Sequence, residues 1–135
     1  MAENLDARLS SYSDAVISLF RAVFGLLFSL HGTSLLFGWP SGPAAAIGVW
    51  PDFYGGVIEF ATGVLVATGL FTRIAAFIAS GTMAFTYFTM HFPDGWIPLT
   101  NSGELSVLYC FGFLLLVFTG GGTYAVDTVR RRRSA

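Results

Sequence analysis

Three ionisable side chains, Arg21, His31 and Glu59, lie inside long apolar runs of this 135-residue chain, and two more, His91 and Glu104, lie at the edges of such runs. A charge at mid-membrane costs about 2.5 to 3.5 kcal/mol, so such groups are expected to face a helix-bundle interior and to pair, bind a ligand or handle protons. A histidine beside a glutamate suits hydrogen bonding to a bound carbonyl and proton transfer near neutral pH. The competing reading is a buried polar pair that only sets helix register. His31, Glu59, His91 and Glu104 have acceptable chemistry for a metal, but no pair shows a recognised local spacing, so no metal is assigned. Tyr87 and Asn101 are close enough to join the group. No nucleotide-binding loop, nucleophile elbow or zinc signature occurs, and no catalytic residue is assigned.

The elements that must position these groups are four apolar segments, at residues 15–37, 54–71, 74–91 and 102–119. Each approaches the length a helix needs to cross a hydrocarbon core of ~30 Å, and none alternates as a strand of a membrane barrel would. With 54% hydrophobic and 11% charged residues, and a mean hydropathy of +0.68, the chain has more apolar surface than a soluble domain of this size could bury. The fold expected is an all-α membrane protein, a four-transmembrane-helix bundle forming one domain over residues 1–135, with short tails 1–14 and 120–135. A net charge of −1 excludes the basic field of a nucleic-acid binder. The acidic start of the chain, with Glu3, Asp6 and Asp14, reads as no removable signal peptide.

Arginine placement orients the bundle. Arg8, Arg73 and Arg130 to Arg133 fall before the first span, between the second and third, and after the fourth, whereas the other two connections carry Asp52 and Asp94 and no basic residue. The positive-inside bias then puts both termini in the cytoplasm. Trp39, Trp50 and Trp96 fall on the outer side as interfacial anchors, and the stretch 44–49 is expected to lie in the interface or dip into the bundle.

Counting along the helices places His31 and Glu59 level, about 9 Å below the outer boundary. His91 ends the third span and Glu104 opens the fourth, so four groups are expected to converge on the outer half. Small residues at four-residue spacing mark packing faces: Gly25, Ser29 and Gly32 after Arg21, then Gly55, Gly63 and Ala67 around Glu59, and Ala76, Ser80 and Ala84 before Tyr87 and His91. Arg21 lies toward the inner side, where its guanidinium either finds a counter-ion or reaches the headgroups. Glu104 at a helix start also suits simple complementing of the helix dipole. The lone Cys110 reads as a small core residue, the phenylalanines as packing or the walls of a slot for a flat ring, and the Arg130 to Arg133 run as an anchor to anionic lipid.

Taken in order, Arg21 with His31-Gly32, Glu59 with Gly63 and Gly69, Thr72-Arg73, Asn101-Ser102-Gly103-Glu104, and Gly120-Gly121-Gly122 leading to Asp127 resemble the DoxX family of small four-span bacterial membrane proteins over nearly the whole chain. The resemblance implies a multi-pass protein of the bacterial inner membrane. By analogy with related subunits of thiosulfate:quinone oxidoreductase, it also implies a link to quinone or sulfur redox chemistry. The function expected is a redox-system membrane subunit that binds an apolar ligand such as a quinone near the outer half. Its partners would be the lipid bilayer and either a protein of a membrane complex or further copies of itself. The alternatives are a non-catalytic anchor or assembly subunit, and a small transporter or proton pathway.

Overall fold

Where two helices carry glycine and serine at matching turns, their backbones can approach until main chain meets main chain. In the computed structural model, which describes residues 1–135 and contains no strand, the helices α2 (Ser13–Phe37) and α3 (Asp52–Thr68) pack in this way. A Cβ on Gly25 would stand 2.7 Å from the Gly63 carbonyl oxygen, and one on Gly63 would stand 2.6 Å from the Ser29 nitrogen. Gly32 lies equally close to the backbone of Phe60. Gly55 departs from the expected stripe, because a Cβ there would touch nothing within 4 Å. Its side of α3 turns away from α2.

The chain continues through α4 (Thr72–Thr86), a π turn (Tyr87–His91) and a short 3-10 turn (Phe92–Asp94) to α5 (Glu104–Thr119). The four long helices touch in the cycle α2, α3, α4, α5 and back to α2. Ala75, Ala76 and Ala79 of α4 are fully enclosed, and Ser80 donates to the Cys110 carbonyl at 2.8 Å, which keeps α4 and α5 close. Between α2 and α5 rings fill the gap, with Phe28 and Phe113 centroids 4.7 Å apart and Phe24 and Phe113 5.4 Å apart. The outward faces are mostly apolar, for example Leu19, Val23 and Leu26 on α2 and Phe111, Leu115 and Phe118 on α5.

The helices start and stop close to the expected spans, with three differences. Only α2, with 25 residues and a hydropathy of 1.7, is by itself long and apolar enough to cross a membrane; α5 is apolar but shorter. Second, α3 stops early at Gly69, whose φ of +78° lets its N–H return to the Leu65 and Val66 carbonyls. Third, the two tails are structured. Ala2–Ser10 and Val126–Ser134 form α1 and α6, and residues 120–127 are a strap packed beneath the helices. The stretch 44–49 forms no helix and is largely exposed, tied back by the Ala45 N–H to the Leu35 carbonyl.

The strap explains Arg21. The side chain is only 3% exposed. Its Nε donates to the Gly121 carbonyl at 2.8 Å, and its Nη1 donates to the Val66 carbonyl at 2.9 Å and to that of Ala67. It does not reach the headgroups, because the strap covers it, and it is held by carbonyls of the strap and of the C-terminal turn of α3. Arg73 repeats the device on α5, with Nη1 donating to the Val117 and Phe118 carbonyls at 2.8 and 2.9 Å. Asp127 does the converse at the start of α4, accepting from the Phe71 and Thr72 N–H groups at 2.9 and 2.8 Å. Phe71 sits at φ +49°, a left-handed conformation that costs a bulky residue about 1 to 2 kcal/mol, and Asp127 holds it there. Burial pushes the Asp127 carboxyl up, but those N–H groups and Arg130 outweigh it and hold it below its ordinary value of 3.8.

Two outcomes follow for purified protein in detergent. Gly25→Ala and Gly63→Ala each lower stability by about 1 to 3 kcal/mol through overpacking, whereas Gly81→Ala, at an open helix position, is neutral or stabilising by up to about 1 kcal/mol. Equal melting temperatures for all three would contradict the close α2–α3 contact. Asp127→Ala costs about 1 kcal/mol at neutral pH, as loss of a helix cap does. Because the folded carboxyl is depressed, its contribution is complete above the unfolded value near 3.8 and disappears as pH falls through the lower folded value. The melting difference between wild type and variant should therefore close in acid; a difference independent of pH down to full protonation would refute the cap.

Candidate functional site

The opposite end of the bundle holds the sequence-predicted groups. α2 runs from Arg21 outward to His31, and antiparallel α3 brings Glu59 one turn beyond its contact at Gly63. There the helices enclose a cavity of about 250 Å³, whose walls include His31, Glu59 and His91 together with Thr86, Ser106 and Tyr109. Phe28, Met83 and Leu105 supply its apolar lining.

Glu59 is 8% exposed, and its Oε2 is buried without a hydrogen-bond partner. An unpartnered carboxyl oxygen in an apolar interior is costly, which makes this atom the chemically unfinished part of the structure. His31 is less enclosed than its spacing suggests. It sits one residue before Gly32, about 100° around the helix from the α3-facing side, and is exposed at the cavity edge with its ring edge-on to Tyr109 at 5.7 Å.

His91 is delivered by the π turn. Its Nδ1 lies 3.2 Å from the Asn101 carbonyl oxygen, which can only accept, so Nδ1 is the donor and Nε2 is the nitrogen left for a ligand. Tyr87 and Asn101 do not line the cavity; they fasten the loop that carries this carbonyl. Tyr87 donates its hydroxyl to the Trp96 carbonyl at 2.8 Å, and Asn101 donates Nδ2 to the Gly95 carbonyl at 2.7 Å and to the Tyr87 hydroxyl at 3.2 Å. Asn101 Oδ1 also accepts the Gly103 N–H at 2.8 Å, just before α5.

Glu104 does not join the cluster. It is exposed in the first turn of α5, where its charge complements the helix dipole. Arg21 belongs to the other end altogether. His31, Glu59, His91 and Glu104 thus do not converge as a ligand set, and no cluster of three or more His, Cys, Asp or Glu side chains is arranged to hold a metal. Tyr109, Thr86 and Ser106 were not among the sequence candidates. A partial signal is present: Ser106 and Tyr109 stand three residues apart on one face of α5, a polar pair on an otherwise apolar helix. Chemically, the cavity offers hydrogen-bonding groups around an aromatic wall and no activated nucleophile.

The sequence profile of the DoxX family matches residues 16–92, the stretch that carries Arg21, His31, Glu59 and His91. An uncharacterized protein of Haemophilus influenzae is 38% identical over 125 residues, covering 88% of this chain and 93% of the relative. The inner membrane protein YqjF of Escherichia coli K12 is 32% identical over 79 residues, 57% of this chain and 59% of the relative. No solved structure matches the chain. The profile match over more than half of the chain, together with a relative aligned over nearly its whole length, makes this protein a member of the DoxX family of membrane proteins.

Proposed function

We propose that α2 to α5 cross the bacterial inner membrane as a four-span bundle with both termini in the cytoplasm, and that the bundle is a redox-system subunit binding a quinone-like ring in the cavity of Glu59. The topology rests on Arg8, Arg73 and Arg130 to Arg133 lying at the Arg21 end, and on Asp52, Asp94 and the three tryptophans lying at the other. α3 is short, at about 25 Å by helical rise, while α4 gains length from the π turn that carries it to His91. The predominantly apolar outer faces suit lipid.

The observation that carries the ligand reading is the buried, unpartnered Oε2 of Glu59 on a cavity wall. A carboxyl there forms a hydrogen bond only with something that enters the cavity. The walls fit a flat ring bearing oxygens: Tyr109 and Phe28 present aromatic surface, while Glu59, His31 and His91 present polar atoms. A quinone, when bound, supplies two-electron chemistry coupled to protons. The residues of this chain would bind the ring, orient its oxygens and exclude water around them. Electrons would have to come from a partner protein, since the single Cys110 forms no dithiol.

The test is binding of decyl-benzoquinone to the protein in lipid nanodiscs, read by quenching of tryptophan emission. Glu59→Gln and His31→Ala should each weaken binding about tenfold, the value of one lost buried hydrogen bond, at unchanged melting temperature. Equal binding by wild type and both variants, or none by wild type, would overturn the ligand reading and leave an anchor subunit.

A further inference from the structure

We infer that the ligand site has two compartments, and that its occupant is an amphiphile whose ring fills the inner cavity while its aliphatic chain lies in a lipid-facing groove between α3 and α4. The inference rests on the ligand reading above and adds the class of molecule and its way in.

A second concavity of about 580 Å³ runs along the outer half of α3 and α4. It borders Glu59, Thr86 and His91, the same three residues that border the inner cavity, so the two spaces meet at these side chains. The exposed lining of the groove is mostly apolar, with Ile58, Ile78, Phe85 and Met90 among its walls, and Asp52, Thr82 and Thr89 adding a few polar groups. Trp50 roofs it, packed 5.9 Å from Phe85 and 6.0 Å from Tyr54. A polar head and an apolar chain are the complement of these two surfaces taken together. The buried unpartnered Glu59 oxygen stands at their junction.

The glycines give an independent argument. Gly25, Gly32 and Gly63 are needed because a side chain would strike the neighbouring backbone. Gly55 and Gly81 face each other's side of the groove with nothing within 4 Å of a Cβ. Helix packing does not call for glycine at either position, and glycine weakens a helix. Their effect is to keep the groove wide. The π turn at Tyr87–His91 sits at the outer edge of the same groove and breaks the regular ladder where a ring would pass between α3 and α4. Entry is therefore lateral, from the bilayer.

The experiment compares a tail-less dimethoxy-methyl-benzoquinone with the same ring carrying a decyl chain, binding to wild type, Gly81→Phe, Gly55→Leu and Gly81→Ala in nanodiscs. Filling the groove should cost the decyl compound about tenfold or more in affinity, the order expected when several methylenes lose their buried place. The tail-less ring should be held within about twofold, and Gly81→Ala should resemble wild type. Melting curves select the folded filler, and the two fillers stand on different helices, so one can serve for the other. Both compounds binding the fillers as tightly as wild type would refute the groove while leaving the cavity reading intact. Equal loss of both would show that the ring itself occupies the groove and would also refute the division. Failure of wild type to bind either compound would remove the ligand reading and this inference with it.

Discussion

A guanidinium buried in apolar surroundings needs acceptors for its donors, and Arg21 finds them in backbone carbonyls, which its Nε and Nη1 both reach. Its partners lie 45 and 100 residues away, at the end of α3 and in the strap. One side chain thus ties three parts of the chain together and gives the last turn of α3 the positive charge its dipole favours. Removing it would leave those carbonyls and the strap without a common anchor. Arg73 on α5 and Asp127 on α4 extend the scheme. At this end of the bundle the termini of α3, α4 and α5 are each given a partner from elsewhere in the chain.

This closed end permits the open one. With α2 and α3 locked by Arg21 and pressed together through Gly25, Gly63 and Gly32, the cavity opens beside that seam, between Phe28, His31 and Glu59 and the facing residues of α4 and α5. α5 contributes Tyr109 and Ser106 to the gap, and the Tyr87–Asn101 fastening holds His91 over it. The contrast between the ends is chemical: the buried guanidinium is held by three carbonyls of the protein, and the buried carboxyl oxygen of Glu59 has no partner. A small membrane protein has few ways to stabilise such a carboxyl, and a ligand that supplies the missing hydrogen bond is the most economical of them.

The parts legible in the sequence were those with a period. Four apolar runs, the glycine and serine stripe on α2, and the common depth of His31 and Glu59 follow from counting at 3.6 residues per turn. The partners of Arg21 are not legible in the sequence, because a backbone carbonyl has no residue type and the strap that supplies one reads there as a tail. Four-residue spacing puts Gly55 on a packing face that it does not reach, since that spacing drifts around the helix and Gly63 and Ala67 stay against α2 while Gly55 does not. Glu104 was grouped by its depth, whereas its direction around α5 decides its place and turns it outward. Tyr109 and Thr86 were hidden among apolar residues, with only the serine and tyrosine pair on α5 as a hint. The π turn that aims His91 carries no signature in composition.

The measurement that bears most directly on the proposed ligand site is native mass spectrometry of the protein extracted from its own membranes into lipid nanodiscs. Wild-type protein is predicted to retain one small lipophilic molecule bearing a ring head and an aliphatic chain, beyond the phospholipid adducts shared by any membrane protein, and Glu59→Gln is predicted to lose it. The same molecule retained at the same stoichiometry by the variant, or phospholipid alone on the wild type, would contradict a site built around Glu59.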